Sequence, residues 1–184
     1  MKIKDIKKLT DCKYLNLYKL DIENKAGNDK EYFIASRRAE KDLVCKVNNH
    51  DKADGVMIIP ITEEDELVLI KQFRPAINDY IYEFPAGLID GDESVEEAAT
   101  RELFEETGLL ASECEYLLKP SYTSVGMSDE AVSVVKMKVH GTISTENIEE
   151  NEEIEVVKLP IKEAKEFIKN NNVSVKTALV LAFI

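Results

Sequence analysis

The sequence predicts an α+β fold, in which one well-bounded helix packs against a mixed β-sheet. Apolar and β-branched runs separated by short polar turns dominate the chain between residues 14 and 160, and such runs are typical of strands. One helix, at 95–107, has both a start signal and a stop signal. Two further helical patterns, at 161–170 and 173–183, follow the last strand. Many strands and few helices, mixed along the chain, favour the α+β class.

The first 50 residues are predicted to form an N-terminal β extension. Two strands, at 14–22 and 31–37, flank the turn-forming segment ENKAGND, so we expect them to pair as a hairpin. A further strand is predicted at 42–47. A polar, loop-like stretch follows and places a boundary near residue 50. The chain therefore divides into an extension at 1–50 and a main domain at 51–184.

The main domain begins with two dense apolar strands joined by the short acidic turn TEED. The next strand ends in a Pro-Ala-Gly turn, and three later strands carry β-branched residues with partial alternation. Ser174 is the predicted N-cap of the last helix. The predicted strands are 55–61, 66–73, 81–87, 113–119, 130–140 and 152–160.

Composition limits the classes of function. The chain has 184 residues, of which 44% are hydrophobic, enough for one domain with a real core. Its net charge of −12 and pI near 4.7 describe a surface that repels polyanions, so we do not expect binding to nucleic acid. A small phosphorylated ligand is compatible with this charge if a cation screens it.

The cysteines and the apolar stretches indicate a cytoplasmic protein. Cys12, Cys45 and Cys114 are odd in number, far apart and in no CxxC pattern, as expected for reduced thiols. The N-terminal MKIKDIKKLTD is not followed by the apolar run of a signal peptide. No stretch approaches the roughly 20 apolar residues of a membrane span, so no membrane partner is expected.

The helix at 95–107 gathers acids on an unexpected side. Ser94 and Glu97 fit a capping box, and Gly108 fits the residue just after a helix. At about 100° per residue, Glu102 and Glu106 fall on the same side as the small and aliphatic residues. Like charges at this spacing repel, and buried carboxylates without partners are costly. A bound divalent cation resolves both problems, because hard cations prefer oxygen ligands.

Neighbouring residues support such a site. The backbone carbonyl of Ala86, in the turn before the helix, could add a neutral oxygen ligand, and Gly87 permits a tight turn there. Arg101 can hydrogen-bond a carboxylate in bidentate fashion and fix its orientation. Phe104 falls on the opposite side of the helix, so the helix is expected to need a second packing surface.

The segment 87–109 resembles the Nudix box, G-x5-E-x7-R-E-U-x-E-E-x-G-U, where U is a bulky aliphatic residue. This resemblance implies an α/β/α sandwich around a mixed sheet. It also implies Mg²⁺-dependent hydrolysis, with Mn²⁺ as an alternative, of a nucleoside diphosphate linked to another group. The fixed positions are all filled, by Gly87, Glu93, Arg101, Glu102, Leu103, Glu105, Glu106, Gly108 and Leu109.

The resemblance assigns roles within the box by position. Glu102, Glu105 and Glu106 would be metal ligands, with the Ala86 carbonyl as a further candidate. Glu105 and Arg101 are also candidate catalytic residues, and Arg101 with Glu93 would orient the ligands. The metal would bridge pyrophosphate oxygens and lower the pKa of a bound water, which attacks one phosphorus.

The segment before the box, DGVMIIPI to EFPAG, resembles ADP-ribose pyrophosphatases and related nucleoside-diphosphate-sugar hydrolases. Such proteins carry an N-terminal β extension, often exchanged within a homodimer, and residues 1–50 fit that description. Arg74 maps to an arginine that contacts substrate phosphates, and Glu83 and Gly126 are further candidate substrate-binding residues. Val125 stands where these pyrophosphatases usually have a proline. The resemblance makes ADP-ribose the favoured substrate, and the departure at Val125 leaves GDP-mannose or another sugar nucleotide open.

The general base is predicted in a second acidic run. In related hydrolases a glutamate of such a loop activates the water, and the local match places this role on Glu150, with Glu153 as second choice. A different Nudix substrate, such as a dinucleoside polyphosphate, is an alternative. A non-catalytic nucleotide-sensing module is a weaker one, because the chain keeps every acid of the box.

Overall fold

The computed structural model describes residues 1–148 and 153–184. Its contacts divide the chain into two compact units. The first comprises Met1–Asp54 and Pro120–Val132, and the second comprises Gly55–Lys119 and Ser133–Ile184. The division into domains at residues 1–50 and 51–184 stays a prediction.

The first unit contains an antiparallel sheet in the order β1-β2-β3. Its strands are β1 Lys2–Lys8, β2 Asn16–Glu23 and β3 Asp29–Ser36. The predicted hairpin is confirmed as β2 and β3, whereas β1 was not predicted. Tyr18, Leu20, Ile34 and Leu43 form the buried core of this unit.

The strand predicted at 42–47 is wrong. A 3-10 turn, Glu40–Asp42, and a short helix, α1 Val44–Val47, occupy this segment. The Asp129 carboxylate accepts a hydrogen bond from the Val44 N–H at 3.2 Å, and Asn48 ends the helix with a left-handed φ of 54°. Tertiary contacts thus override the weak β preference of the sequence VCKV.

In the described part of the second unit, a central mixed sheet contains seven strands. Neighbours pair in the order β10-β5-β4-β9-β8, while β6 pairs with β5 and β7 with β4. The predicted strands are confirmed, and the one at 81–87 is divided in two. Their bounds are β4 Gly55–Thr62, β5 Glu66–Arg74, β6 Asp79–Glu83, β7 Ala86–Leu88, β8 Leu110–Tyr122, β9 Ala131–His140 and β10 Ile154–Pro160.

Helices cover both faces of this sheet. The long helix α2 Val95–Thr107 lies on one face, and α3 Ala164–Asn170 and α4 Val175–Phe183 lie on the other. A 3-10 turn, Ile161–Glu163, precedes α3. Ser174 caps α4 as predicted, accepting from the Thr177 N–H.

Alternate strand residues serve the two faces. Val56 and Val68 pack with Leu103 of α2, whereas Met57 and Leu67 pack with residues of α3 and α4, including Leu181. This alternation follows from the two-residue period of a strand. The α+β class and the α/β/α layers are therefore confirmed.

The expected second packing surface for α2 is wrong. Phe104 is 42% exposed, while Leu103 beside it is fully buried. Single exposed apolar side chains are normal on protein surfaces, so α2 needs to bury only one side. Among the described residues, no helix combines the length and the apolar character required to span a membrane.

Candidate active site

Local sequence signals set the position of α2. The Ser94 hydroxyl accepts from the Glu97 N–H at 3.2 Å, and the Glu97 carboxylate accepts from the Ser94 N–H at 2.9 Å. Gly108 ends the helix with a φ of +72°, and its N–H donates to the Phe104 carbonyl at 2.8 Å. The predicted capping box and helix end are confirmed. These signals fix which residues of α2 face the sheet.

Glu102 lies directly against the backbone of β7. A Cβ placed on Gly87 would lie 1.8 Å from Glu102 Cδ and 1.9 Å from its Oε1. No side chain can occupy that space while the carboxylate is there. Gly87 is therefore required for close approach between strand and helix, and its absence of a side chain positions Glu102.

Arg101 lies at the centre of a network of carboxylates. Its Nε and Nη2 donate to the two oxygens of Glu93, each at 2.9 Å, in a bidentate pair. Its Nη1 donates to Glu102 Oε1 at 2.8 Å and to Glu105 Oε2 at 3.1 Å. Nη2 also donates to the Leu88 carbonyl oxygen at 3.0 Å. One guanidinium thus holds three carboxylates and ties them to β7.

The contact between Arg101 and Glu93 keeps these two groups charged. Hydrogen bonds from Arg101, together with the backbone N–H of Asp90, lower the pKa of the Glu93 carboxyl to about 2. The hydrogen bond to Glu93 is the largest cause that raises the pKa of Arg101 above its ordinary value. Arg101 and Glu93 therefore remain an ion pair at neutral pH.

Glu106 is the most buried acid of α2, with 3% exposure. Its Oε2 accepts from the Ala86 N–H at 3.1 Å, so it also reaches β7. Burial of an ionised carboxylate is costly unless donors or a cation surround it. Glu106 is thus a buried carboxylate that reaches the start of β7.

The side chains of this region fit a divalent metal in kind. Glu102 and Glu106 both approach the start of β7, where the Ala86 carbonyl lies, and these are the hard oxygen donors that Mg²⁺ prefers. Within residues 1–148 and 153–184, no three His, Cys, Asp or Glu side chains are arranged as a metal site. Glu102 and Glu105 are instead turned toward Arg101. Binding a metal would require these two carboxylates to reorient.

Arg74 and Glu83 lie together on the face covered by α2. The Arg74 Nε donates to Glu83 Oε2 at 2.7 Å. Ile70 pairs with Glu83 on one side and with Val156 on the other, and Val156 packs against the cluster beneath α2. Paired residues point to the same face of a sheet, so Glu83 shares the face of the box acids. The structure brings these two predicted substrate-binding residues together.

Glu153 lies elsewhere. The Tyr80 hydroxyl donates a hydrogen bond to its carboxylate, and the Phe73 N–H donates to its carbonyl at 3.3 Å. Phe73 pairs with Tyr80, and Glu153, Phe73 and Tyr80 all point to the face covered by α3 and α4. Arg74, the residue after Phe73, points to the other face. The structure does not bring Glu153 together with the acids of α2. Glu150, the first choice for the base, lies outside the described residues.

Gly126 belongs to the first unit, in the loop between β8 and β9. Its carbonyl accepts from the Tyr32 hydroxyl at 2.6 Å, and the neighbouring Met127 carbonyl accepts from the Ala35 N–H at 2.8 Å. Val125, at the position of the missing proline, is 71% exposed. The sequence does not reveal this contact, because no local pattern links residues 94 positions apart.

Comparison with known proteins agrees with this geometry. The family described as NUDIX domain matches residues 51–178. The chain belongs to the Nudix family. It is 30% identical to an ADP-ribose pyrophosphatase of Saccharomyces cerevisiae over 159 residues, which is 82% of this chain but only 65% of the yeast protein. It is 29% identical to an ADP-ribose pyrophosphatase of Bacillus subtilis over 94% of this chain and 85% of that protein.

A solved structure supports the same fold. The crystal structure of an ADP compounds hydrolase aligns with a TM-score of 0.77 at 24% identity, covering 98% of this chain and 91% of the other. The predicted family and its resemblance to the ADP-ribose pyrophosphatase group are confirmed. The chain is a Nudix hydrolase, and Nudix hydrolases generally use divalent metal ions.

Proposed function

We propose that this Nudix hydrolase cleaves the pyrophosphate bond of a nucleoside diphosphate sugar, with ADP-ribose hydrolysed to AMP and ribose 5-phosphate. The buried Glu106, which shares one helix with the Arg101 network, carries the proposal. Glu106 and the carboxylates of that network concentrate negative charge, which a bound metal ion would balance. The same ion would bind the diphosphate of the substrate. The similarity to two ADP-ribose pyrophosphatases supports the choice of substrate.

The metal proposed is Mg²⁺, with Mn²⁺ as an alternative. Glu102, Glu105, Glu106 and the Ala86 carbonyl would hold it. When bound, it would neutralise charge on the pyrophosphate and lower the pKa of a bound water. The oxygen-only donor set supports a hard cation rather than zinc, which favours nitrogen and sulfur.

The remaining roles fall to side chains around this centre. Arg101, fixed by its bidentate contact with Glu93, would orient Glu102 and Glu105. Arg74, 45% exposed in its side chain, would turn from Glu83 to phosphate oxygens of the substrate. Glu83 would then be free to accept hydrogen bonds from hydroxyl groups of the substrate.

The proposed base takes a proton from the attacking water. That water adds to one phosphorus, the bond from this phosphorus to the bridging oxygen breaks, and two monophosphates leave. Glu150 is the proposed base, and Gly126 is a proposed substrate contact.

Substrate choice has an alternative with a specific basis. Val125 replaces the proline usual in ADP-ribose pyrophosphatases, so GDP-mannose or a dinucleoside polyphosphate is the second candidate. A nucleotide-sensing module without catalysis is disfavoured, because every acid of the box is present. We further propose a cytoplasmic homodimer, and light scattering coupled to gel filtration would measure its mass.

The deciding experiment is a substrate panel. Purified protein with Mg²⁺ is given ADP-ribose, GDP-mannose, UDP-glucose, NADH or a diadenosine polyphosphate, and released monophosphate is measured. We expect the highest kcat/KM with ADP-ribose and loss of activity when the metal is chelated. Turnover of diadenosine polyphosphates alone would replace the proposed substrate, and turnover of none would reject the proposed function. A Glu106→Gln preparation controls for contaminating phosphatases.

A further inference from the structure

We propose that Tyr80 and Glu153 form a positioning pair that fixes the chain where it enters β10. Glu153 would then serve the reaction through this contact, and not as the base. The inference rests on the proposed hydrolase function, and it deepens that function by assigning a role to Tyr80. We call these two residues the entry pair.

Backbone pairing places the entry pair in one row across three strands. The first pair of β10 and β5 is Ile154 with Gln72. One residue earlier, the Phe73 N–H donates to the Glu153 carbonyl at 3.3 Å. Phe73 in turn pairs with Tyr80 of β6. Glu153, Phe73 and Tyr80 therefore point to the same face of the sheet, within reach of one another.

Side-chain contacts complete the row. The Tyr80 hydroxyl donates to the Glu153 carboxylate, and the Tyr80 ring packs edge-on against Phe73 at 5.4 Å between centroids. The Lys71 ammonium lies 5.3 Å from the centre of the Tyr80 ring. The contact with Glu153 raises the pKa of the Tyr80 hydroxyl, so it stays protonated and keeps donating at neutral pH. Glu153 is thus engaged through both its backbone and its side chain.

The face of the sheet argues against Glu153 as the base. The neighbouring row contains Lys71 and Tyr82, and the Tyr82 ring meets Phe167 of α3 at 4.9 Å. The entry pair therefore lies on the α3 and α4 side, whereas Glu102 and Glu106 lie on the α2 side. A general base must come within hydrogen-bond reach of the water it activates. A carboxylate across the sheet, already engaged by a tyrosine, does not meet that requirement.

The same position suits an anchor. Glu150, the proposed base, precedes Glu153 by three residues, and three residues of chain extend at most about 10 Å. Holding Glu153 therefore restricts the volume open to the base. An error of about 1 Å in placing a reacting group can cost about 100-fold in rate. Loss of the anchor should accordingly lower kcat more than it raises KM.

Four variants test the entry pair with ADP-ribose and Mg²⁺. Tyr80→Phe and Glu153→Ala should each lower kcat about 5- to 10-fold with KM within about twofold, because a base is misplaced while substrate contacts remain. Glu153→Gln should keep at least about a third of wild-type kcat, because its amide oxygen still accepts from Tyr80. Tyr116→Phe, which removes a hydroxyl from the half-exposed face of β8, should match wild type.

Two kinetic results would overturn the proposal. One is wild-type kcat in Tyr80→Phe. The other is a Glu153→Gln variant as inactive as Glu153→Ala, since that would make the charge of Glu153 essential, as in a base. Amide hydrogen exchange gives a readout that does not need turnover. Exchange at the start of β10 should be faster in Tyr80→Phe than in wild type, and equal exchange would also reject the anchor.

The exchange measurement separates this inference from the proposed function. If the wild-type protein hydrolyses no sugar nucleotide, the proposed function fails. Faster exchange in Tyr80→Phe would then still support the anchor. If wild type is active and the kinetic and exchange profiles of Tyr80→Phe are unchanged, only the entry pair is rejected.

Discussion

The two faces of the central sheet both carry acidic side chains, but the groups that contact these acids differ between the faces. On the α2 face, the single guanidinium of Arg101 contacts three carboxylates, and Glu106 is buried one turn beyond Glu102. On the opposite face, Glu155 lies 3.6 Å from the Lys71 ammonium. Its neighbour Glu153 accepts the Tyr80 hydroxyl.

This difference supports the α2 face as the place of the proposed chemistry. On the α2 face, Arg101 contacts three carboxylates and Arg74 contacts a fourth, and part of the charge of α2 is buried, where it is costly. On the opposite face, Glu155 contacts Lys71 and Glu153 contacts Tyr80, and the Glu155 side chain is 69% exposed. A group of acids around few cations is compatible with a bound metal ion, whereas exposed ion pairs are common on protein surfaces and contribute little.

The largest expected effect comes from matched substitutions on the two faces. Glu106→Gln should lower kcat at least about 100-fold, because it removes one charge that would hold the metal and stabilise the transition state. Glu155→Gln, which makes the same chemical change on the opposite face, should alter kcat less than about twofold, because an exposed ion pair contributes little. Steady-state hydrolysis of ADP-ribose measures both. Similar losses of kcat in the two variants would show that the two faces do not differ in their importance for hydrolysis.

A second test alters the backbone rather than an acid. Gly87→Ala should reduce kcat about 10- to 100-fold, because its Cβ would occupy the space of the Glu102 carboxylate. Gly91→Ala is the control, since no atom lies within 4 Å of a Cβ there although φ is +54°. It should cost about 1 kcal/mol of stability and leave kcat near wild type. Full activity of Gly87→Ala would show that Glu102 need not lie against β7.

Metal binding should appear as a smaller shift in thermal stability. At about ten times its dissociation constant, Mg²⁺ should raise the Tm by about 3–5 °C, because it binds only the folded chain. Glu106→Gln should lose most of this shift, and Glu155→Gln should retain it. Differential scanning fluorimetry with and without Mg²⁺ measures the effect. An equal shift in all three proteins would place the ion away from α2.

The smallest effect concerns acid stability. The pKa of Glu93 is about 2 in the folded chain, below its ordinary 4.5. A lowered carboxyl pKa contributes stability that is complete above pH 4.5 and is lost as the pH falls to about 2. Wild type should therefore exceed Glu93→Gln in urea midpoint at pH 7, and the gap should close across that window. A gap that persists at pH 2 would contradict the charge-based cause.

Part of this site could be predicted from the sequence, because the capping signals of α2 lie close together along the chain. Ser94, Glu97 and Gly108 lie next to the helix they delimit, so the bounds of α2 and the side that carries Glu102 and Glu106 were correctly predicted. Capping interactions depend on residues a few positions apart, which the sequence displays directly. The family pattern extended this local information to Arg101 and Gly87.

Other features depended on contacts that no local pattern contains. The face occupied by Glu153 follows from its register with β5, and a shift of one residue would send the same side chain toward α2. The helix α1 depended on Asp129, 85 positions away from Val44. The exposure of Phe104 depended on how many layers cover α2. In each case tertiary placement decided between options that the sequence left equal.

The contacts of Arg101 have a consequence for how the molecule reaches its active form. Without a bound metal ion, the Arg101 guanidinium supplies the positive charge that holds the Glu102 and Glu105 carboxylates close together, where they would otherwise repel each other. We therefore expect the chain to fold without a bound metal ion. Metal binding would then replace the contacts of Glu102 and Glu105 with Arg101 by contacts with the ion, in a chain that is already folded.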